Sequence, residues 1–338
     1  MRNALAASIL AATGALCLAT SANAGTLVDD SLSWDGLTRT FTYFEPSSMT
    51  TNKPLVIVLH GGNGTAEDAM DNYDGRWNDA AEANKFWVVY PEGEPETRNW
   101  NDCRAASTTP GDGGYDPVNG DMSEEDDVGF LVELVDWFES NHDIDTSKVY
   151  VLGASNGGFM TQRLAMEATG TFAGFAPIIS GLAEKNECAA PNTGTLQSGG
   201  RKMVLLYGQS DQYVPPAGGC IATPIYGDCR QGEVDTITNT INQWKSWFGV
   251  TSSGSETAQA NPVSGDNSRQ YWTNHSRSGS VVLRTIRVNG AGHSVPGDTQ
   301  LGWIARVLLQ LGWRNLDINH VRTVGQFFGL CTVNANCY

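Results

Sequence analysis

The chemistry that stands out first is a single hydroxyl between small residues. Gly153-Ala154-Ser155-Asn156-Gly157 carries the spacing Gly-x-Ser-x-Gly, which sets a serine at the tip of a tight turn. In a chain with 38 glycines the pattern alone proves little, so its context decides. The apolar run Val149-Tyr150-Val151-Leu152 precedes it and a helical pattern opens near Gly158-Phe159, the strand–turn–helix setting such a nucleophile needs. Gly153, Gly157 and Gly158 relieve crowding in that turn. A helix start behind Ser155 also offers unpaired N–H groups to a developing negative charge.

A serine hydroxyl is weakly nucleophilic until a base takes its proton and an acid orients that base. After such an elbow the acid precedes the histidine in chain order. Of the five histidines, His60 and His142 lie before Ser155. His275, in Thr273-Asn274-His275-Ser276, and His320, in an amphipathic C-terminal helix, read as loop or surface residues. His293 follows the apolar run Val281–Val288 in Asn289-Gly290-Ala291-Gly292-His293, at the strand end where an α/β sheet builds its site. It is the expected base. Asp211 leaves the run Met203–Tyr207 in the same way and is the expected acid, while Asp235 reads as a helix start and Asp298 follows the base. Asn156, next after the serine, supplies one expected oxyanion N–H. The glycine-rich His60-Gly61-Gly62-Asn63-Gly64 supplies the other, from Gly62 or Asn63. His60 braces that loop on this reading. Asn63-Gly64-Thr65 also spells a glycosylation sequon, read here as coincidence because a glycan would block the site.

The elements that must hold these residues alternate. Leu55–Leu59, Phe86–Tyr90, Val149–Leu152, Phe175–Ile179, Met203–Tyr207 and Val281–Val288 are continuous apolar runs, as parallel strands covered on both faces require. Helical stripes at Asp127–Asn141, Phe159–Glu167 and Val234–Phe248 fall between them. The expected fold is a single doubly wound α/β domain with a mainly parallel sheet, extended by an antiparallel strand around Thr40–Phe44. Thr251–Ser268 reads as a surface insertion.

Met1-Arg2, the apolar Ala4–Thr20 and the small-x-small ending at Ala24 form a secretory signal. Residues 25–338 are the expected exported domain, and no later stretch is apolar enough to span a bilayer. Outside the signal six cysteines remain, which in an exported chain favours disulfides. Short loops suggest Cys220–Cys229 and Cys331–Cys337, leaving Cys103–Cys188. The absence of Cys-x-x-Cys argues against zinc or redox chemistry. Asp112–Asp127 is acidic but lacks the EF-hand spacing, so it reads as a solvated loop with no metal. A net charge of −16 disfavours nucleic acid, anionic membranes and polyanionic substrates.

With these residues in place the chain resembles the exported polyhydroxybutyrate depolymerase and feruloyl esterase group of α/β-hydrolases. The likeness rests on Leu59-His60-Gly61-Gly62, Tyr90-Pro91-Glu92-Gly93 with Trp100-Asn101, Asp126-Asp127-Val128-Gly129-Phe130 and Ser155-Asn156-Gly157-Gly158. Gly208-Gln209-Ser210-Asp211 with Val214-Pro215, and Gly292-His293-Ser294-Val295-Pro296-Gly297, complete it. The resemblance implies ester hydrolysis through an acyl-enzyme without a cofactor. Gly62-Asn63, Val295 and the Cys220–Cys229 segment depart from the group's pattern, where they could shape the pocket. Trp100, Tyr213 and Val295 are candidate pocket walls, with a core role equally open for Trp100. The expected substrate is an ester, polymeric or its oligomers. A polyhydroxybutyrate depolymerase-like activity leads; a feruloyl or acetyl-xylan esterase and a catalytically inactive binding protein are the alternatives.

Overall fold

A computed structural model describes residues 25–332 except 94, 96–97, 103, 105–124, 185–187, 222–230, 264, 303–306 and 308–310. The signal segment, Cys103, Cys229, Cys337 and most of the acidic loop therefore lie outside the described residues. The chain opens with β1 (Thr26–Trp34), β2 (Leu37–Glu45), β3 (Lys53–Leu59), α1 (Ala66–Asn72), α2 (Arg76–Asn84) and β4 (Trp87–Pro91). Next come α3 (Asp127–His142), β5 (Ile144–Ala154), α4 (Asn156–Glu167), β6 (Gly174–Ile178), α5 (Thr193–Ser198) and β7 (Lys202–Gly208). Beyond them lie β8 (Gly219–Cys220), β9 (Glu233–Val234) and α6 (Ile237–Trp247). The order closes with β10 (Ser252–Ser253), β11 (Thr257–Ala258), β12 (Arg269–Arg277), β13 (Ser280–Asn289) and α7 (His320–Phe328).

Eleven strands form one sheet in the order β1-β2-β4-β3-β5-β6-β7-β13-β12-β10, with β11 also on β12. From β4 through β13 neighbours are parallel. The hairpin β1–β2 and the strands beyond β13 are antiparallel. The apolar runs reflect two-sided burial. In β3, Leu55, Ile57 and Leu59 face a core built with Phe130, Leu134, Met160 and Trp244. Val56 and Val58, between them, face a second core with Trp77, Ala80 and Val324. A strand sandwiched this way loses the polar alternation of a half-exposed one. Because β3, β5, β7 and β13 run parallel, the residues after their C-terminal ends gather at one edge.

The helix α3 starts where its sequence suggests: the Asp126 side chain caps it by accepting from Gly129 N–H at 2.8 Å. Its neighbour, the last residue of the acidic stretch, departs from the solvated reading at that one position. Asp127 is fully buried and pairs with Arg39 of β2 at 2.6 Å, while its other oxygen accepts from Asn101 N–H at 2.6 Å. The expected surface insertion is exposed over most of its described length, but Asp266 and Ser268 at its end are buried and it contributes β10 and β11 to the sheet edge.

Two histidines are corrected as well. His275 is an inward residue of β12, bonded to Ser253 Oγ at 2.8 Å and Thr285 Oγ1 at 3.2 Å. His320 opens α7 with 1 % exposure, its ring against Tyr73 and Trp77. Side chains next to one another on a strand point to opposite faces and those along a helix turn to successive faces, so sequence neighbours do not report the burial of either ring. Burial lowers the pKa of His60 and His275 to about 4 and that of His320 to about 3.

Asp127→Ala would leave the Arg39 guanidinium buried without its counter-charge, and we expect a loss of about 3–5 kcal/mol, read from the urea midpoint. Acid should also unfold the protein by a defined route. Between pH 6.5 and 4 an unfolded histidine binds a proton that the folded His60, His275 and His320 resist, so stability falls as pH drops through that window. Replacing His320 by Phe should flatten the slope of urea midpoint against pH there; an unchanged slope would show that other groups set it.

Candidate active site

The serine elbow is built by close packing of backbone. Ser155 adopts φ 56° and ψ −121°, a region L-residues rarely occupy. Its N–H donates to Ile178 O at 3.0 Å, and its carbonyl accepts from Phe159 N–H at 2.9 Å. The flanking glycines are sterically required. A Cβ on Gly153 would come within 2.4 Å of Gly157 O, and one on Gly157 within 2.4 Å of His60 O. A Cβ on Gly158 would reach 2.7 Å from Ile178 O. No side chain fits, so β3, β5, β6 and α4 meet at van der Waals distance and force the turn.

The structure brings Ser155, His293 and Asp211 together although they are far apart in sequence. His293 Nε2 lies 2.9 Å from Ser155 Oγ, and His293 Nδ1 lies 2.8 Å from Asp211 Oδ2. Asp211 Oδ1 accepts from the N–H groups of Tyr213 at 2.8 Å and Val214 at 2.9 Å. That leaves Oδ2 free to face the imidazole, and a carboxylate there keeps the hydrogen on Nδ1. Nε2 is then an acceptor for the serine hydroxyl. Asp211 and His293 are both buried. Their loops are laced together by Gln209 N–H to Val288 O and Ser210 N–H to Ala291 O, each 2.9 Å.

On the other side of Ser155 stands the loop after β3. His60 Nε2 accepts from Gly93 N–H at 2.8 Å, so Nδ1–H donates to Gly61 O at 2.7 Å. The bracing role expected of His60 fits this neutral, buried ring. Asn63 N–H donates to Asn99 Oδ1 at 3.0 Å. Thr65, the end of the sequon, caps α1.

A cavity of about 620 Å³ opens over these groups. Gly62, Asn63, Asn156, Tyr213 and Val295 line it as expected. Tyr213 also stacks on His293, with ring centroids 4.9 Å apart. Trp100 does not line it. It is fully buried, its indole N–H donating to His60 O at 3.0 Å, a site that takes the large ring and satisfies its one donor. Sequence reading missed Phe159, Ile179 and Ile221 on the apolar wall and Asp71 and Asn72 on the polar rim. It also missed Arg314, buried and donating to the carbonyls of Val295 at 2.7 Å and Asn72 at 2.7 Å. That guanidinium ties the segment after His293 to the end of α1. Only the contacts across the chain identify it; its neighbours Trp313 and Asn315 carry no pattern. Among the described residues no group of His, Cys, Asp or Glu converges as metal ligands would.

The prolyl oligopeptidase family model matches residues 120–179, which include the elbow. Poly(3-hydroxyalkanoate) depolymerase C of Paucimonas lemoignei is 29 % identical over 84 % of this chain and 65 % of its own length. The chain thus spans just under two thirds of that relative. Acetylxylan esterase A of Aspergillus oryzae is 25 % identical over 77 % of this chain and 81 % of its own length. Among solved structures, the acetyl xylan esterase from Aspergillus awamori superposes with a TM-score of 0.57 at 18 % identity, covering 91 % of this chain and 100 % of that one. Sheet order, elbow and the superposition give the chain the α/β-hydrolase fold, and the sequence relatives it resembles are named as a poly(3-hydroxyalkanoate) depolymerase and an acetylxylan esterase.

Proposed function

We propose that the protein is an exported serine carboxylesterase acting through an acyl-enzyme. The observation that carries this reading is the hydrogen-bonded line Ser155–His293–Asp211 at the floor of a cavity. His293 Nε2 takes the Ser155 proton as Oγ attacks the ester carbonyl, and the imidazolium returns that proton to the leaving alcohol. Water, activated by the same nitrogen, then releases the acid. Asp211 holds the Nδ1–H tautomer and offsets the imidazolium charge. The oxyanion faces the backbone N–H of Asn156 and that of Gly62; Asn63 is the weaker choice because its N–H is engaged by Asn99. Such donors stabilise the charge that appears only in the transition state.

The apolar wall of Phe159, Ile179, Val214 and Ile221 suits a short aliphatic acyl chain, in keeping with a polyhydroxyalkanoate-type ester. One observation favours the second reading, a sugar-borne ester. Asp71, Asn72 and Asn63 stand on the rim, and a carboxylate there wants hydrogen-bond donors. A polyester repeat presents ester oxygens only, whereas a sugar brings hydroxyls. Export rests on the N-terminal signal pattern. The pairs Cys103–Cys188, Cys220–Cys229 and Cys331–Cys337 fit an oxidising compartment, and Cys188, Cys220 and Cys331 are each disulfide-bonded.

We expect hydrolysis of p-nitrophenyl butyrate by the wild type, and losses in kcat of about 10⁴-fold or more for Ser155→Ala and Asp211→Asn. Full activity in Ser155→Ala would overturn the nucleophile; a wild type inert on every ester would favour a binding protein. Rates on polyhydroxybutyrate, acetylated xylan and methyl ferulate then rank the substrate classes. Asp71→Ala should weaken only the sugar-borne ester if the rim reads hydroxyls.

A further inference from the structure

The two oxyanion donors belong to separate segments, the loop after β3 and the turn after β5. Their separation must be held by something outside both. The segment Asn99–Asp102 touches each. Toward the first, Asn99 Oδ1 accepts from Asn63 N–H at 3.0 Å, and the Trp100 indole donates to His60 O at 3.0 Å. Toward the second, Trp100 N–H donates to Asn156 Oδ1 at 2.8 Å. Asn156 Nδ2 returns one hydrogen to Trp100 O at 2.9 Å and the other to Asp102 Oδ2 at 2.7 Å. The Asn156 carboxamide is therefore fully committed in one orientation. Asp102 is neutralised by Arg104, whose Nε and Nη2 reach its carboxylate at 2.7–3.0 Å. The segment itself is tied down through Asn101 N–H to the buried Asp127. Asn99, Trp100, Asp102 and Asn156 are all buried, Asn99 and Asn156 at the edge of the cavity.

We propose that Asn99 and Asp102 are positioning residues that make the two halves of the oxyanion hole one rigid unit. Asn99 acts through Asn63 on the Gly62 donor, and Asp102 acts through the Asn156 side chain on the Asn156 donor. This rests on the esterase reading above. A preorganised donor pair lowers the barrier without tightening ground-state binding.

The test compares Asn99→Ala, Asp102→Asn and the double variant with the wild type on p-nitrophenyl butyrate, alongside phenylboronic acid as a tetrahedral mimic and thermal melting. Each single variant should lose about 10- to 100-fold in kcat, with KM within about threefold. Boronate affinity should weaken by a similar factor, since the tetrahedral adduct uses the same donors. The double variant should lose less than the product of the singles, because both cut one splint. Unchanged kcat in Asn99→Ala, a rise in KM alone, or strictly multiplying losses would overturn the proposal. Should Asp102→Asn fail to fold, Asn99→Ala decides by itself. A wild type without esterase activity removes both readings; an active wild type with unaffected variants removes only this one.

Discussion

At Ser155 the backbone is held in a region that costs roughly 1–3 kcal/mol for a residue with a side chain, and its neighbours leave it no alternative. Gly153, Gly157 and Gly158 touch the carbonyls of Gly157, His60 and Ile178 so closely that none can carry a Cβ. Three parallel strands and one helix are thereby locked at a single crossing. Everything else at the site takes its position from this crossing. The serine projects above the sheet, the N-terminus of α4 lies behind it, and the loop after β3 passes close enough to share its surroundings. The strain is affordable because the two cores on either side of the sheet supply far more stabilisation than the turn consumes.

Much of this was legible in the residues. The continuous apolar runs announced strands covered on both faces, and the strand–turn–helix setting singled out Ser155. Asp211 and His293 followed from strand ends and chain order, and the structure puts the three within hydrogen-bonding distance. What escaped has a common cause. Asn99, Asp102, Asp127 and Arg314 act through contacts between distant segments, and such contacts leave no periodicity. His275 lies in a polar run and His320 near a helix start, yet both face inward, since burial is decided side by side across a strand or around a helix. Trp100, a large ring near site loops, fitted a wall or a core by type alone; its indole bond to His60 settles its place beneath the cavity.

The charge of the chain and the polarity of the site are separate matters. A net charge of −16 spreads over the surface, while the groups around the cavity are locally balanced. Arg104 meets Asp102, and Arg314 is spent on carbonyl oxygens and Asp74. His60 stays neutral through burial. Apart from the Asp71 carboxylate on its rim, the cavity therefore presents dipoles and one aligned imidazole, surroundings that admit a neutral guest at less desolvation cost than a charged one.

The ends of the sheet have a consequence of their own. The outer strand β1 carries the exposed carboxylates of Asp29 and Asp30, and on the far side β10 is only the two residues Ser252–Ser253. A long sheet with open margins would invite a second chain to add a strand. Here one margin repels a like-charged copy and the other is too short to template one. Copies of the chain held side by side at high local concentration would thus meet without adding strand to strand.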